Sequence, residues 1–323
     1  MTRPKLVLTR RWPEAIERRL EAEFETILNP DDRPLGPDGL RSALETCDGL
    51  LATVTDRLGP EVFAGLTPRA RLIANYGVGV SHIDCDAARA LGIAVTNTPD
   101  VLSDCTADLA MTLLLITARR VREGEAELRA GLWTGWRPTH LVGTKVAGAT
   151  IGIVGFGRIG QAMAARARFG FGMEILVYNR SAVPAGILAR FGARQVGGLG
   201  ALMGAADFVS LHCPGGAANR HLIGAEMLAA MRPGAFLINT ARGEVVDEAA
   251  LAAALAAGRI AGAGLDVYEH EPRVPAALLA APNLVLLPHL GSATAATREA
   301  MGARVLDNVS AFFAGAPAPD RVV

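Results

Sequence analysis

The sequence predicts an α/β protein made of two doubly wound parallel-sheet domains. Short apolar segments alternate with amphipathic stretches in both halves of the chain, which is the pattern of parallel sheets covered by helices. A glycine-rich turn follows one of these segments near the middle of the chain. The length of 323 residues is enough for two domains of ordinary size.

In the first hundred residues, the pattern predicts four strands and an amphipathic helix. The helix is expected in "EAIERRLEAEF", and the strands are expected at residues 5–9, 48–55, 71–77 and 92–99. A longer helical pattern then runs from Ser103 to Arg129, and we expect it to bridge the two domains.

The alternation restarts at Thr150 and predicts a second sheet of Rossmann type. Its six apolar segments are "IGIVG", "EILVYN", "DFVSLH", "AFLINTA", "AGAGLDVY" and "NLVLLPH". A last helical pattern begins after His289. Its apolar positions have helical spacing and must pack on another element: Met301, Val305, Val309 and Phe312.

The composition excludes several classes of protein. Lys plus Arg and Asp plus Glu balance at 32 each, and no basic run could follow a phosphate backbone, so nucleic acid is not an expected partner. The longest apolar run, residues 111–118, is too short to span a membrane. The start "MTRPKLVLTRRW" lacks the hydrophobic region of a secretory signal. Four scattered cysteines suit a reducing compartment and predict no zinc site, so we expect a cytoplasmic protein without a metal.

The glycine-rich turn predicts a dinucleotide site. In "IGIVGFGRIGQAMAARA", Gly155, Gly157 and Gly160 have GxGxxG spacing between an apolar strand and a helical pattern. The first glycine would permit the tight turn, the second would let the backbone approach the pyrophosphate, and the third would let helix and strand pack closely. Amides at the helix N-terminus would face the phosphates. A glycine-rich turn without a ligand is the alternative.

The end of the next predicted strand indicates which dinucleotide is bound. A carboxylate commonly lies there and binds the ribose hydroxyls of NAD, but "LVYNRS" has Asn179, Arg180 and Ser181. A guanidinium can bind the 2′-phosphate of NADP through two charge-assisted hydrogen bonds, and its polar neighbours can donate further ones. We therefore expect NADP as the preferred cofactor and NAD as a possible one. A solvated arginine that touches nothing is the alternative.

Three later segments supply the groups that carbonyl reduction needs: a substrate anchor, a proton donor and a group that keeps the donor charged. Arg242 follows one predicted strand in "NTARGEVVD", Glu269 and Glu271 follow the next in "DVYEHEP", and His289 follows the last in "LPHLGSAT". Ligands bind beyond the carboxyl ends of such strands. The residues alone leave alternatives, because Arg242 could form a structural ion pair and the two glutamates cannot be separated. Five other histidines compete with His289: His82, His140, His212, His221 and His270.

Together, these motifs resemble a known family over nearly the whole chain. The glycine turn, "NTARG", "GLDVYEHEP" and "LPHLGSAT", with "NYGVGVSHID", "NTPDVLSDCTADLAMTLLL" and "GLWTGWRP", are similar to those of the D-isomer-specific 2-hydroxyacid dehydrogenases, and within them to glyoxylate/hydroxypyruvate reductases. The resemblance implies a flavodoxin-like substrate domain of residues 1–99 plus 290–323. It implies a Rossmann nucleotide domain of residues 100–289, with the active site in the cleft between the domains.

The resemblance also implies roles for the reactive residues. Arg242 would bind the carboxylate and carbonyl oxygen of the substrate, and His289 would donate the proton. Glu271 would hydrogen-bond to His289 and favour its charged form. Further cofactor contacts are implied at Thr106, Phe156, Arg158, Ile159, Cys213, Pro214, Thr240, Ala241, Asp266 and Gly291.

The first domain is implied to complete the substrate pocket. Backbone amides of Val78 and Gly79 in "YGVGV" would receive the substrate carboxylate, since glycines allow close backbone approach. Ser81 stands where the family often has an acidic residue, which leaves this loop less well defined. Trp136 matches a tryptophan that reaches the pocket of the neighbouring subunit, so a homodimer is expected.

The prediction is an NADPH-preferring reductase of small 2-oxo acids that forms D-2-hydroxy acids, with glyoxylate and hydroxypyruvate as leading substrates. Dehydrogenases of 3-phosphoglycerate and of D-lactate are the enzymatic alternatives. A corepressor-like protein of the same fold, which binds the dinucleotide and recruits other proteins, is the alternative from a different class.

Overall fold

The computed structural model describes residues 3–323, and they form two compact units. The first unit consists of the chain up to Leu102 together with Ser292–Val323, and the second unit is Ser103–Gly291. Each unit contains one sheet in which every strand pair is parallel. The predicted fold class, two parallel-sheet α/β domains, is confirmed.

The first unit contains a five-stranded sheet. Its strands are β1 (Lys5–Leu8), β2 (Glu25–Ile27), β3 (Gly49–Thr53), β4 (Leu72–Tyr76) and β5 (Ala94–Thr96). Their order, β2-β1-β3-β4-β5, is that of flavodoxin-like folds. The connecting helices are α1 (Glu14–Glu23), α2 (Pro37–Thr46), α3 (Pro60–Phe63) and α4 (Cys85–Ala90).

The strand pattern of the sequence misses β2. This edge strand has three residues, and both Glu25 and Ile27 are exposed. The central strands β3 and β4 are almost wholly buried and carry the apolar pattern that predicts them. An edge strand that buries no side chain leaves no such pattern.

The second unit contains a seven-stranded sheet. Its strands are β6 (Thr150–Val154), β7 (Glu174–Tyr178), β8 (Ala193–Gln195), β9 (Phe208–Leu211), β10 (Phe236–Asn239), β11 (Gly262–Leu265) and β12 (Leu284–Leu286). Their order, β12-β11-β10-β9-β6-β7-β8, is the Rossmann order with the switch point between β6 and β9. Its helices are α5 (Ser103–Ala118), α6 (Val121–Arg129), α7 (Arg158–Ala165), α8 (Ala185–Arg190), α9 (Leu199–Ala205), α10 (Ala225–Ala230), α11 (Glu248–Ala256) and α12 (Ala276–Leu279).

Two features of the second unit differ from the sequence prediction. The sheet has a seventh strand, β8, whose side chains are at most half-buried and give no apolar signal. The helical pattern predicted from Ser103 to Arg129 is broken, because Arg120 adopts a left-handed conformation with φ of 52° between α5 and α6. None of the residues of α6 is buried, whereas α5 packs on the sheet.

The last helix, α13 (Ala295–Phe313), belongs to the first unit. It packs against α1 and β4, and Met301, Val305 and Val309 are buried at the spacing that the sequence indicates. Gly302 allows this close approach, since a Cβ there would lie 2.7 Å from Cγ1 of Ile16. In the part of the chain from residue 3 onward, no helix combines the length and apolar character that a membrane crossing needs.

Candidate active site

The three predicted catalytic side chains follow three neighbouring strands of the second unit. Arg242 comes after β10, Glu271 after β11 and His289 after β12. These strands are parallel and adjacent, so their carboxyl ends lie at one edge of the sheet. This is the edge at which doubly wound sheets bind ligands.

His289 and Glu271 form a direct hydrogen-bonded pair. Nδ1 of His289 lies 2.8 Å from Oε2 of Glu271, and the backbone amide of Tyr268 donates to Oε1 at 3.0 Å. Burial would raise the pKa of Glu271, but the hydrogen bond and charge of His289 outweigh it, aided by the Tyr268 amide and Arg242, and hold the pKa below its usual value. Glu271 is therefore a carboxylate at neutral pH.

The backbone of His289 is held in an unusual conformation by Asp266. The φ of His289 is 56°, in the left-handed region, and its amide donates to the carbonyl of Asp266 at 2.9 Å. The Asp266 carboxylate accepts from the amides of Leu290 at 2.7 Å and Gly291 at 2.8 Å. Burial raises the pKa of Asp266 to about 6, against the effect of these amides and of His289. Asp266 therefore shapes the turn that presents the imidazole.

The backbone around Arg242 is fixed by its neighbours. Asn239 accepts from the amide of Ala241 and donates to the carbonyl of Arg242, each at 3.0 Å. A Cβ on Gly243 would lie 1.8 Å from the carbonyl carbon of Tyr268, so only glycine fits there. This close approach brings the chain of Arg242 directly against the segment that leads to Glu271.

The guanidinium of Arg242 is surrounded by negatively charged and hydrogen-bond-accepting groups. Its Nη1 donates to the carbonyl of Ala241 at 2.7 Å. Burial lowers the pKa of Arg242, while the charges of Glu271 and Glu244 act in the opposite direction. Arginine nonetheless keeps its proton in proteins, so this site retains a cation with donors to spare.

The two glutamates that the sequence could not separate have different partners. The Glu269 carboxylate accepts from Arg220 and from Nε2 of His221, the latter at 3.2 Å. Its amide donates to the Glu248 side chain at 2.8 Å. Only Glu271 of the pair contacts His289.

The other five histidines have different surroundings. His270 is exposed. Burial lowers the pKa of His212 to about 4, so its ring is neutral. Apart from His270, each of these histidines contacts another side chain: His82 contacts Asn75, His140 contacts Glu127, His212 contacts Ser210 and His221 contacts Glu269.

The glycine turn between β6 and α7 has room for a ligand. Gly155 has φ of 91°, and a Cβ there would lie 2.6 Å from the Cys213 nitrogen. A Cβ on Gly160 would lie 2.2 Å from the Gly155 carbonyl oxygen. Gly157 has an ordinary φ of −75° and nothing within 4 Å of its missing Cβ. The protein itself thus requires two of the three glycines, and the third leaves open space where a dinucleotide phosphate would fit.

At the carboxyl edge of this sheet, polar groups of the described chain are also left without protein partners. No side chain caps α7, whose first residue is Arg158. The hydroxyl of Thr240 is buried, and within residues 3–323 it has no hydrogen-bond partner. A buried polar group without a partner is costly, so a bound dinucleotide is a fitting partner here.

The loop after β7 holds Arg180 at the surface. Oδ1 of Asn179 accepts from the Phe156 amide at 3.2 Å, and its Nδ2 donates to the carbonyl and the hydroxyl of Ser181 at 3.1 and 3.2 Å. Arg180 is exposed, and in the described part of the chain its guanidinium has neither a hydrogen bond nor an ion pair. Its neighbours are therefore held by hydrogen bonds, whereas its own charge has no partner among the described residues.

Three of the remaining predicted cofactor residues come together. A Cβ on Gly291 would lie 3.4 Å from Oδ2 of Asp266 and 3.5 Å from Cγ2 of Thr106. The others lie at the carboxyl edge of the same sheet: Phe156 in the loop after β6, Arg158 and Ile159 at the start of α7, Cys213 and Pro214 after β9, and Ala241 after β10.

In the first unit, the loop after β4 is anchored through its carbonyls. Asn75 donates to the carbonyls of Gly77 and Gly79 at 2.9 and 3.0 Å, and Asn97 donates to that of Val78 at 2.9 Å. From residue 3 to residue 323, no protein acceptor lies on the amides of Val78 and Gly79. These two amides are therefore available to an anion.

Comparison with known proteins identifies the family. The sequence profile described as "D-isomer specific 2-hydroxyacid dehydrogenase, NAD binding domain" matches residues 111–291. The chain belongs to this family. Over 324 residues, it is 46% identical to a glyoxylate reductase of Thermococcus kodakarensis, with 99% of this chain and 96% of the relative covered.

Solved structures agree with this membership. A D-isomer specific 2-hydroxyacid dehydrogenase of Polaromonas sp. superposes with a TM-score of 0.90 at 38% identity, covering 99% of each chain. An NADPH-dependent glyoxylate/hydroxypyruvate reductase of Sinorhizobium meliloti, in complex with NADP and malonate, gives 0.88 at 37% identity, covering 100% of this chain and 97% of the other. The dehydrogenase is therefore an oxidoreductase that acts on a CH–OH group with a nicotinamide dinucleotide.

One segment of the dehydrogenase exposes an unusual amount of apolar surface. Trp136 is 82% exposed, and Leu128, Leu132 and Trp133 in and after α6 are each more than half exposed. Monomeric proteins seldom expose such a run of large apolar side chains.

Several residues that build the site are not singled out by the sequence analysis. Tyr268 acts through its backbone amide, Asn239 acts through its side-chain amide, and Gln195 holds the Arg180 loop from the unpredicted strand β8. Gly243 could have been found, because it follows Arg242 in "ARG" and a glycine beside a reactive residue indicates close backbone approach. Tyr268 and Asn239 lie inside quoted motifs, but nothing in the sequence shows their hydrogen bonds, and Gln195 comes from another strand.

Proposed function

We propose that this dehydrogenase is an NADPH-preferring reductase of small 2-oxo acids, which forms D-2-hydroxy acids from substrates such as glyoxylate and hydroxypyruvate. The observation that carries the proposal is the 2.8 Å pair of His289 and Glu271 beside the guanidinium-bearing residue Arg242. Glyoxylate reductases among its relatives support the substrate class.

His289 is assigned as the proton donor. Its Nδ1 is held by Glu271, and among the described residues its Nε2 has no protein partner. The carboxylate stabilises the imidazolium and fixes the ring, so the Nε2 proton can pass to the carbonyl oxygen of the substrate. The nicotinamide, when bound, supplies the hydride to the carbonyl carbon. Hydride and proton together convert the ketone to the alcohol.

Arg242 is assigned as the substrate anchor. Its guanidinium can bind a carboxylate oxygen and the adjacent carbonyl oxygen at once, and it polarises the carbonyl as charge develops on that oxygen. The amides of Val78 and Gly79, which have no protein acceptor in the described chain, suit a carboxylate and are assigned to bind one on the substrate.

The cofactor preference rests on Arg180. Its guanidinium is exposed and, within the described chain, unpaired, and no carboxylate occupies the adjacent positions 179 and 181. A 2′-phosphate would satisfy that charge, whereas the ribose hydroxyls of NAD would not. The residues assigned to the rest of the dinucleotide are those of the glycine turn and of the Thr106, Asp266 and Gly291 cluster.

We further propose that two copies of the chain form a homodimer. The exposed apolar residues Leu128, Leu132, Trp133 and Trp136 support it, because a second copy would remove them from water. Trp136 is assigned to the pocket of the partner subunit, following the similar reductases.

The test is a spectrophotometric assay of NADPH oxidation with glyoxylate, hydroxypyruvate and larger 2-oxo acids. We expect turnover with the small acids, and His289→Ala should lower kcat about 10² to 10⁴-fold. His270→Ala is the matched control, since that imidazole is exposed, and it should retain activity. Cofactor binding without turnover on the whole panel would contradict the proposal and indicate a dinucleotide sensor.

A further inference from the structure

The side chain of Gln195 ties the Arg180 loop to strand β8. Its Nε2 donates to the carbonyls of Asn179 at 3.3 Å and Ser181 at 3.0 Å, and its Oε1 accepts from the Val183 amide at 2.8 Å. The two carbonyls lie on either side of Arg180. One amide side chain thus holds both flanks of the arginine.

The position of Gln195 in the sheet makes this contact possible. β8 is the edge strand, and Gln195 lies in register with Val177, two residues before Asn179. The side chain therefore reaches the loop that continues from the end of β7. A residue elsewhere on the three-residue strand would not lie beside the loop in this way.

The loop is also tied to the glycine turn. The Asn179 side chain accepts a hydrogen bond from the Phe156 amide and donates to the carbonyl and hydroxyl oxygens of Ser181. Because its oxygen is an acceptor here, the Ser181 hydroxyl can donate its own proton to a ligand. With Gln195 in place, the loop is hydrogen-bonded on both sides, and the Arg180 charge and the Ser181 hydroxyl proton are left to bind a ligand.

We propose that Gln195 is a positioning residue for recognition of the cofactor's 2′-phosphate: its three hydrogen bonds order residues 179–183 so that Arg180 and Ser181 meet the phosphate at a lower entropic cost. This inference rests on the proposed NADPH preference and assigns it a determinant outside the motif. Ordering a loop in advance strengthens binding by lowering the cost of ordering it on contact.

The test uses binding of two probes to the full chain, measured by calorimetry without substrate. Adenosine 2′,5′-bisphosphate carries the 2′-phosphate, and 5′-AMP lacks it. Gln195→Met keeps a similar volume but removes every hydrogen bond to the loop. We expect it to weaken bisphosphate binding about fivefold, the value of roughly one hydrogen bond, and to leave 5′-AMP binding within twofold.

The matched control is Arg194→Met, an exposed neighbour on the same strand that receives the same side chain. It should change neither affinity by more than about twofold, since surface substitutions have small effects. If Gln195→Met weakens both probes equally, or weakens neither, the positioning role is wrong. Retained 5′-AMP binding also reports that the variant is folded.

Arg180→Ala separates this inference from the proposed cofactor preference. If wild-type protein binds both probes equally, the NADPH preference fails and the inference fails with it. If Arg180→Ala weakens the bisphosphate while Gln195→Met does not, the preference stands and the inference alone is overturned. Because Gln195 acts through Arg180 and Ser181, the double variant should lose less bisphosphate affinity than two independent losses would give, and fully independent losses would contradict the positioning role.

Discussion

Two regions of the second unit lie at the carboxyl edge of one sheet and differ in whether their charged groups have protein partners. Beyond β10 to β12, the Glu271 carboxylate is fully engaged by His289 and by the Tyr268 amide. Beyond β6 and β7, the Arg180 guanidinium has no partner in the described chain, and no side chain caps α7. The protein alone therefore completes the partners of the Glu271 carboxylate, whereas the second region leaves its positive charge available to an anion.

The difference follows from what each region must do. A proton donor must be oriented and charged before the substrate arrives, so its partners belong to the protein. A phosphate site must exchange its partner in every catalytic cycle, so its donors cannot be used internally. Substitutions of the paired groups in the first region should therefore change rate and stability, and substitutions of ligand-facing residues in the second should change binding alone.

After the loss expected for His289→Ala, the largest effect on rate is expected for Glu271→Gln. The amide keeps a similar shape but removes the charge beside His289, so kcat should fall about 10²-fold while KM for the cofactor stays within a few fold. Steady-state kinetics with both substrates varied would measure it. An unchanged kcat would show that the pair is not part of the reaction.

Glu271→Gln should also change how the stability of the fold depends on pH. The pKa of Glu271 lies below its ordinary 4.5 in the folded protein, so the folded state binds that proton more weakly than the unfolded chain. The stabilising contribution is thus present above pH 4.5 and is lost as pH falls through the lowered pKa. Urea unfolding should find wild type more stable than Glu271→Gln at pH 7, and this gap should close in the acid range. A gap that widens on acidification would contradict the pairing.

An intermediate effect is expected in the glycine turn. Gly157→Ala meets no protein atom within 4 Å, so the melting temperature should stay the same while KM rises about tenfold for NADPH and NADH alike. Gly160→Ala is the contrasting variant, because its Cβ would lie 2.2 Å from a backbone oxygen, and it should lose several kcal/mol of stability. Equal melting temperatures for these two variants would contradict the division between the glycine that leaves room for the ligand and the one that the fold requires.

The sequence predicts those parts of the site whose signal is local. The glycine spacing and the positions of Arg242 and His289 after apolar strands are each evident from a few consecutive residues. β8 and Gln195 give no such signal, because an edge strand with half-buried side chains has no apolar pattern. The break at Arg120 is equally hidden, since arginine is a good helix former and only the surrounding fold explains its left-handed backbone.

Glu269 and Glu271 have roles that the sequence alone cannot distinguish. They are two residues apart and chemically identical, and their roles depend on partners from distant segments: Arg220 and His221 for one, His289 for the other. Only the resemblance to a family chose between them before the structure did. No propensity or spacing rule could have ranked them from this chain alone.

The smallest effect is expected for Glu269→Gln, the same chemical change two residues from the most damaging one. Arg220 is half exposed, and ion pairs with an exposed partner contribute at most about 1 kcal/mol, so kcat should fall no more than about fivefold. The Glu269 amide would still donate to Glu248 and keep the segment in place. Measured beside Glu271→Gln under identical conditions, the two variants should differ in kcat by more than tenfold. Equal losses would mean that the ion pairs of Glu269 hold the catalytic segment as firmly as the pair of His289 and Glu271, and the contrast between the two carboxylates would be wrong.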